Sequence, residues 1–250
     1  MLENSENGAA HAAPRKEAVP VDLASPLHNA HPRHFTAREL SRTERKRLDV
    51  FSFRSCKENR QVDVIGPFQL GFRLQLEFDP SVTAVTERPR YLEVGEKQVE
   101  LSFWWRHNTG REHFALLIPD ADTLPGSDGR RRPRQIDRLR AAAHGAGIDL
   151  QLVTEDQVRN REHHVELAFQ LLPWVQSASW LKADLVMRHE VITAVRRYAR
   201  CTIDQLQQDL AMFPPSHVLI VVAELIYLGV LTTDATRRLM RRSLIWSTAR

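Results

Sequence analysis

The chain reads as a mixed α/β protein in two parts, a sheet with flanking helices followed by a small helical unit that ends in a β-wing. Three observations carry that reading. The β-branched and aromatic runs Val99–Arg106 and His113–Ile118 are joined by Asn108-Thr-Gly110, a turn signal that makes them a hairpin. The alanine- and arginine-rich segment Gln135–His144 is helical in composition, stops at Gly145 or Gly147, and returns into the apolar run Asp149–Thr154. A helix that returns to a strand suits a mixed sheet with a helix on its face. Beyond residue 180, three short helical periods precede Val230-Leu-Thr-Thr-Asp234, the first strand of a wing.

The elements follow in order. Residues 1–33 are rich in Ala, Pro, His, Asn and Glu without an apolar period, and cannot bury enough surface to offset the entropy of ordering; a disordered tail is expected. Thr36–Arg47 is strongly charged and predicts a short helix, and Val50–Ser55 and Arg60–Val64 read as extended pieces. Phe68–Glu77 reads as a helix or a helix-turn boundary, since period alone does not decide between them. Val82–Glu87 and Arg90–Val94 read as strands, and a helix from Glu155 to about Leu172, stopped by Pro173, closes a first domain spanning 34–172. Pro173–Ser179 is then a linker to a second domain, 180–250. There Val186–Arg200 is a helix, Thr202-Ile-Asp-Gln205 a capping box, and Ser216 and Gly229 the N-cap and C′ residue of a third helix. Three short helices with a β-turn describe a winged helix-turn-helix.

Composition narrows the classes. With 250 residues, 42% hydrophobic, the chain can form two modest cores. A formal charge of +4 acquires meaning only where it clusters. One cluster is Arg130, Arg131, Arg132 and Arg134, with Arg138 and Arg140 beyond. Another is Arg237, Arg238, Arg241 and Arg242. Either reads as a set of phosphate contacts, which need charge and reach but no base logic, or as a solvated basic face. Two cysteines, Cys56 and Cys201, offer neither a disulfide framework nor a metal quartet and fit a reducing cytoplasm. The longest apolar run, Val218–Leu231, is interrupted by Glu224, so no membrane partner is expected. The third helix, 216–228, is mostly apolar and offers His217 and Glu224 as polar side chains, a poor set for reading base edges; burial or protein contact is the expectation. Strand alternation sends one ring of Trp104-Trp105 into the core and one outward. His163-His164 point about 100° apart on a helix and do not grip one metal as an i, i+4 pair would.

Gln69–Pro119 has the layout of a metal-dependent nuclease core. Such a core holds Mg²⁺ on carboxylates from neighbouring strands, with a lysine beside them to offset charge on the scissile phosphate. The expected positions here fall on Gln69 in the helix, Glu100 in the next strand, and Leu117, Ile118 and Pro119 in the last. Glu100 is the one carboxylate, and so the one metal-ligand candidate. Replacing a carboxylate by an amide removes a full charge from the site, and a lost electrostatic stabiliser costs roughly 2.7–4 kcal/mol per donor in comparable sites.

The run Leu76-Glu-Phe-Asp-Pro-Ser-Val-Thr-Ala-Val-Thr-Glu-Arg-Pro89, followed by Val99-Glu-Leu-Ser-Phe103, Phe114-Ala-Leu-Leu-Ile118 and Ile148-Asp-Leu-Gln-Leu-Val-Thr-Glu155, resembles the heteromeric transposase endonuclease subunit TnsA over about residues 34–245. The resemblance implies a restriction-endonuclease-like domain followed by a winged-helix domain. It implies transposon-end DNA, a DDE-type recombinase and an ATP-dependent transposition regulator as partners, with the family's Glu, Asp, Gln and Lys falling on Gln69, Glu100, Leu117 and Ile118 or Pro119. It makes Glu77 and Asp79 capping and turn residues. The expected function is a transposition subunit with impaired or lost 5′-strand cleavage and no cofactor. Two other readings stay open: an active nuclease whose Mg²⁺ site is rebuilt from Glu100 with Asp63 or Glu77, and a stand-alone DNA-binding regulator.

Overall fold

A computed structural model of the protein describes residues 35–126, 131–181, 184–234, 236 and 238–248. The expected tail, 1–33, lies outside the described residues.

Local chemistry starts the first elements. Helix α1 (Arg42–Arg47) is opened by a capping box: Ser41 Oγ accepts the Glu44 N–H while the Glu44 carboxylate accepts the Ser41 N–H. Strands β1 (Val50–Ser55) and β2 (Arg60–Ile65) pair antiparallel from Val50↔Ile65 to Ser55↔Arg60. The ambiguous segment is a full helix, α2 (Gly66–Glu77), with Pro67 in its first turn. Its dense apolar spacing serves two faces. Phe72 and Leu76 pack against a sheet, and Leu74 packs against Ala168 and Leu172 of a later helix.

The central sheet is built from β3 (Val82–Glu87), then, after a small hairpin of β4 (Tyr91–Val94) and β5 (Lys97–Glu100), from β6 (Phe103–His107) and β7 (Glu112–Ile118). A 3-10 turn at Asp120–Asp122, the hairpin β8 (Thr123–Pro125) with β9 (Arg131–Pro133), and α3 (Ile136–Gly145) carry the chain over to β10 (Leu150–Thr154). Strand order is β10-β7-β6-β3, with β3, β6 and β7 an antiparallel meander and β10 parallel to β7 from Leu150↔Phe114 to Thr154↔Ile118. A parallel neighbour needs a long crossover, and the segment holding α3 supplies it.

Both faces of this sheet are covered. Val85, Phe103, Trp105, Leu117 and Val153 pack with Phe72 of α2 and Val62 and Val64 of β2. Trp104, Phe114, Leu116 and Ile118 face the other way, onto Leu139 and Ala143 of α3 and Leu92 of β4. The two adjacent tryptophans do point to opposite sides, but neither is outward: their exposures are 0% and 3%. Strand alternation set the direction correctly, and covering elements on the second face removed the solvent.

The run expected as one strand from Val99 to Arg106 is two, β5 and β6, in different sheets, with Leu101 and Ser102 crossing between them. Leu101 is fully buried, and Ser102 donates its N–H to the Ala115 carbonyl. The segment expected as one helix to Leu172 is α4 (Glu155–Arg159) and α5 (Glu162–Ala178), and Pro173 lies inside α5 rather than ending it. The expected linker over 173–179 is therefore mostly helix.

The remaining elements are α6 (Asp184–Tyr198), β11 (Cys201–Thr202), α7 (Ile203–Asp209), α8 (Pro215–Tyr227), β12 (Leu231–Thr233) and β13 (Leu244–Ser247), with sheet order β11-β13-β12. Thr202 and Gln205 form the expected capping box. Helix α8 is capped by Pro214 and starts at Pro215, so Ser216 sits inside its first turn, where proline's fixed φ already suits a helix start. Gly229 has φ +71° just past α8, as its C′ position requires. No helix of the described residues is long and apolar enough to cross a membrane.

Candidate functional site

Phe103 at the start of β6 and Leu117 near the end of β7 share a core with Phe68 and Leu70 from the start of α2. Gln69 is half-buried there, and its Oε1 accepts the Ile65 N–H at 3.1 Å, tying down the start of α2. Leu117 is buried, and its backbone N–H donates to Ser102 Oγ at 2.9 Å. Ile118 is buried against the α3 face, and Pro119 opens the 3-10 turn. The side-chain group that meets the Leu117 main chain from the neighbouring strand is thus the Ser102 hydroxyl, which sequence reasoning passed over in favour of Glu100. The signal that would have found it is Ser102 standing directly before Phe103, the first residue of a buried strand.

Glu100 lies outside the central sheet, at the end of the β4–β5 hairpin. Both of its oxygens are occupied. Arg38 reaches it through Nε and, at 3.0 Å, through Nη2, while the same guanidinium holds Glu44 at 2.9 and 3.1 Å. The Arg38 hydrogen bond and those of Ser41 draw the Glu44 carboxyl down to about 2. A cation seeking Glu100 would compete with a bidentate arginine for every lone pair that faces the fork.

The two carboxylates suggested as helpers are also engaged. Asp63 accepts from Ser52 Oγ at 2.6 Å and pairs with Arg45 at 2.7 Å. Glu77 is fully buried and is no surface ligand. It accepts from Ser55 Oγ (2.8 Å), the Cys56 N–H (2.8 Å), Arg73 Nη1 (2.7 Å) and Tyr227 Oη (3.0 Å). Arg73, itself fully buried, pairs also with Glu87 at 2.9 Å and Glu58 at 3.3 Å, and Arg60 closes the network on Glu58 and Glu87. Burial opposes the charged form of Glu77, but Arg73 and Lys57 outweigh it and hold the carboxyl below its ordinary range. Burial likewise pushes the neighbouring Cys56 thiol up to about 12, away from any reactive thiolate. Asp79 accepts from the Ser81 N–H and hydroxyl, the turn role the sequence implied.

The arginine clusters divide. Arg130 and Arg237 lie outside the described residues. Arg131 turns inward: its Nε donates to Thr123 Oγ1 at 2.5 Å and its Nη2 to the Asp120 carbonyl at 2.8 Å, pinning β9 to the 3-10 turn. Arg132, Arg134, Arg138 and Arg140 are exposed. Arg238, Arg241 and Arg242 are exposed on the loop between β12 and β13, where the Arg241 carbonyl accepts the Asp204 N–H at the start of α7.

Helix α8 is covered. Val218, Val221, Val222, Ala223 and Leu225 are fully buried in one core with Leu167, Leu171 and Val175 of α5 and Val191 and Val195 of α6. Glu224, the polar residue in its middle, is buried in a bidentate pair with Arg188 of α6, both contacts at 2.7 Å. The His163 and His164 rings lie 4.1 Å apart, and among the described residues no group of three or more His, Cys, Asp or Glu gathers in a metal-binding arrangement. The positions Gln69, Ser102, Leu117 and Ile118 therefore offer an amide, a hydroxyl and apolar side chains, while exposed basic charge sits on β9, α3 and the loop between β12 and β13. No known family model matches the chain, and no curated protein matches it.

Proposed function

We propose that the protein is a TnsA-like subunit of a DNA transposition complex that contributes DNA and partner contacts and has lost the 5′-strand cut. Two features of the fold support the family reading. A helix, a three-strand antiparallel meander, a crossover helix and a fourth strand parallel to the third, in that order, are the parts a restriction-endonuclease-like core requires. Helix α6, strand β11, helices α7 and α8, and the strands β12 and β13, with β13 between the other two, follow the order expected of a winged helix. The observation that carries the loss of cleavage is the bond from the Leu117 N–H to Ser102 Oγ. Where a nuclease would set carboxylates and a lysine against a phosphate, a neutral hydroxyl satisfies a main-chain donor and leucine and isoleucine fill the strand end. On this reading the partners are transposon-end DNA, a DDE-type recombinase and an ATP-dependent regulator, and the exposed arginines serve DNA.

The test is strand cleavage. Purified full-length protein, incubated with element-end DNA, the partner recombinase and Mg²⁺ or Mn²⁺, is expected to bind DNA and give no 5′ nick above a recombinase-only control. A 5′ nick that disappears with Glu100→Ala would overturn the loss of cleavage and favour the rebuilt site. Sequence-specific DNA binding with no association with a recombinase would favour the stand-alone regulator instead.

A further inference from the structure

The covered position of α8 leaves open which surface of the C-terminal unit meets DNA. Base reading by α8 is closed to it: the middle of the helix is buried against α5 and α6, and Glu224 is spent on Arg188. The two ends of the β11–β13 strand pair have the opposite character. The pairing Cys201↔Ile245 extends one step to bring Arg200 beside Trp246, and the Arg200 guanidinium lies 4.9 Å from the centre of that ring. Ala199, in the left-handed region at φ 58°, turns the chain from α6 into β11 and leaves Arg196, Arg197 and Arg200 exposed at one end of the strand pair. Arg241 and Arg242 stand exposed at the other end, four to five residues along the β13 side, anchored by the bond between the Arg241 carbonyl and the Asp204 N–H. At about 3.3 Å per residue the backbone positions of Arg200 and Arg241–Arg242 are roughly 13–17 Å apart along the strand pair, on the scale of the ~12 Å width of a major groove. Two nearby acids are committed elsewhere, Asp209 to the Tyr198 hydroxyl and Asp234 to the Leu244 N–H, while Asp204 stands at the Arg241 end of the strand pair. The Trp246 ring is capped by a guanidinium and so is not free to stack on an unpaired base, which favours the phosphates of a duplex over a single strand.

We infer that the β11–β13 strand pair, with Arg196, Arg197 and Arg200 at one end and Arg241 and Arg242 at the other, is a sequence-independent clamp on the phosphates of duplex DNA. This rests on the reading of the protein as a DNA-binding transposition subunit. Each phosphate neutralised releases counterions, so each arginine removed lowers the salt slope of binding by about 0.9. The experiment is fluorescence anisotropy of full-length protein on labelled random-sequence duplex, with salt varied from about 50 to about 200 mM. The Arg200→Ala/Arg242→Ala variant is expected to lose about 2 from the slope and to weaken uniformly across duplex sequences. Arg196→Ala/Arg241→Ala, which leaves the Trp246 contact intact, is expected to do the same with an unchanged melting temperature, and His217→Ala in α8 to change nothing. Wild-type affinity and slope retained in both double variants would overturn the clamp while leaving the functional reading in place. Failure of the wild-type protein to bind duplex even at the lowest salt would overturn both.

Discussion

Glu77 shows how much one side chain can be asked to do. It joins the β1–β2 turn, α2 and the last turn of α8 through Cys56, Arg73 and Tyr227. Its partners are drawn from residues up to 150 positions away. Removing one member of a buried ion pair leaves the other charge without compensation, at a cost of about 3–5 kcal/mol. Arg73 keeps Glu87 and Glu58 when Glu77 is neutralised, so Glu77→Gln is expected to cost less than that, about 1–3 kcal/mol read from the denaturant midpoint. The pH dependence follows from the direction of the shifts. Glu77 and Glu87 are both held below the ordinary glutamate value of 4.5, burial being outweighed by Arg73 with Lys57 or Arg60. Across that window the unfolded chain binds more protons than the folded one, so stability rises with pH. It is complete above about 4.5 and declines as pH falls through the lower folded values. Chemical denaturation at a series of pH values should show this loss in the wild type and a smaller loss in Glu77→Gln; equal losses in both would remove Glu77 from the account.

At the scale of elements, what the sequence made legible is what neighbouring residues decide. The Thr202 capping box, the Asn108-Thr-Gly110 turn and the αL residue Gly229 each depend on a few adjacent side chains, and each appears where composition put it. What was not legible depends on distant partners. The break between β5 and β6 exists because Leu101 fills the core beneath the β4–β5 hairpin while Ser102 bonds to β7. Pro173 was read as a stop, yet α5 continues through it because Leu171, Leu172 and Val175 on either side are buried. In the ionic network only Arg73 and Glu77, one helical turn apart, form a readable pair; Glu58, Arg60 and Glu87 join them through the fold. The same reasoning sharpens Gly229. A Cβ there would lie 2.6 and 2.8 Å from the Pro80 ring, on a backbone with φ +71°. The left-handed conformation alone costs an L-residue about 1–2 kcal/mol, and the closed proline ring gives way less readily than a flexible side chain. Gly229→Ala should lower thermal stability by at least that much; a melting temperature equal to wild type would mean the α8 terminus and the Asp79–Ser81 turn are not in contact in solution.

The molecule as a whole divides in sequence more cleanly than it does in space. A nuclease-like part and a winged part were expected as separate domains joined by a linker, but α5 belongs to both: its Ala168 and Leu172 face Leu74 of α2, while Leu167, Leu171 and Val175 lie in the core of α8. Phe78 at the end of α2 meets Tyr227 of α8 with ring centres 5.2 Å apart, and the Tyr227 hydroxyl ends on Glu77. Deleting everything after residue 180 would uncover three large apolar side chains of α5, each worth about 1.5–3 kcal/mol when fully buried. That sum, about 5–9 kcal/mol, rivals the whole stability of about 5–15 kcal/mol that a typical domain possesses. The truncated chain is expected to be unfolded or aggregated, whereas a true two-domain protein would yield a soluble N-terminal fragment with its own transition. In the intact chain, unfolding is expected to be a single transition. Single-tryptophan variants retaining Trp104 in the central sheet or Trp246 in the C-terminal sheet should then report coincident denaturation midpoints. Midpoints that separate, with the C-terminal sheet melting first, would show that α5 holds the two parts side by side without coupling them.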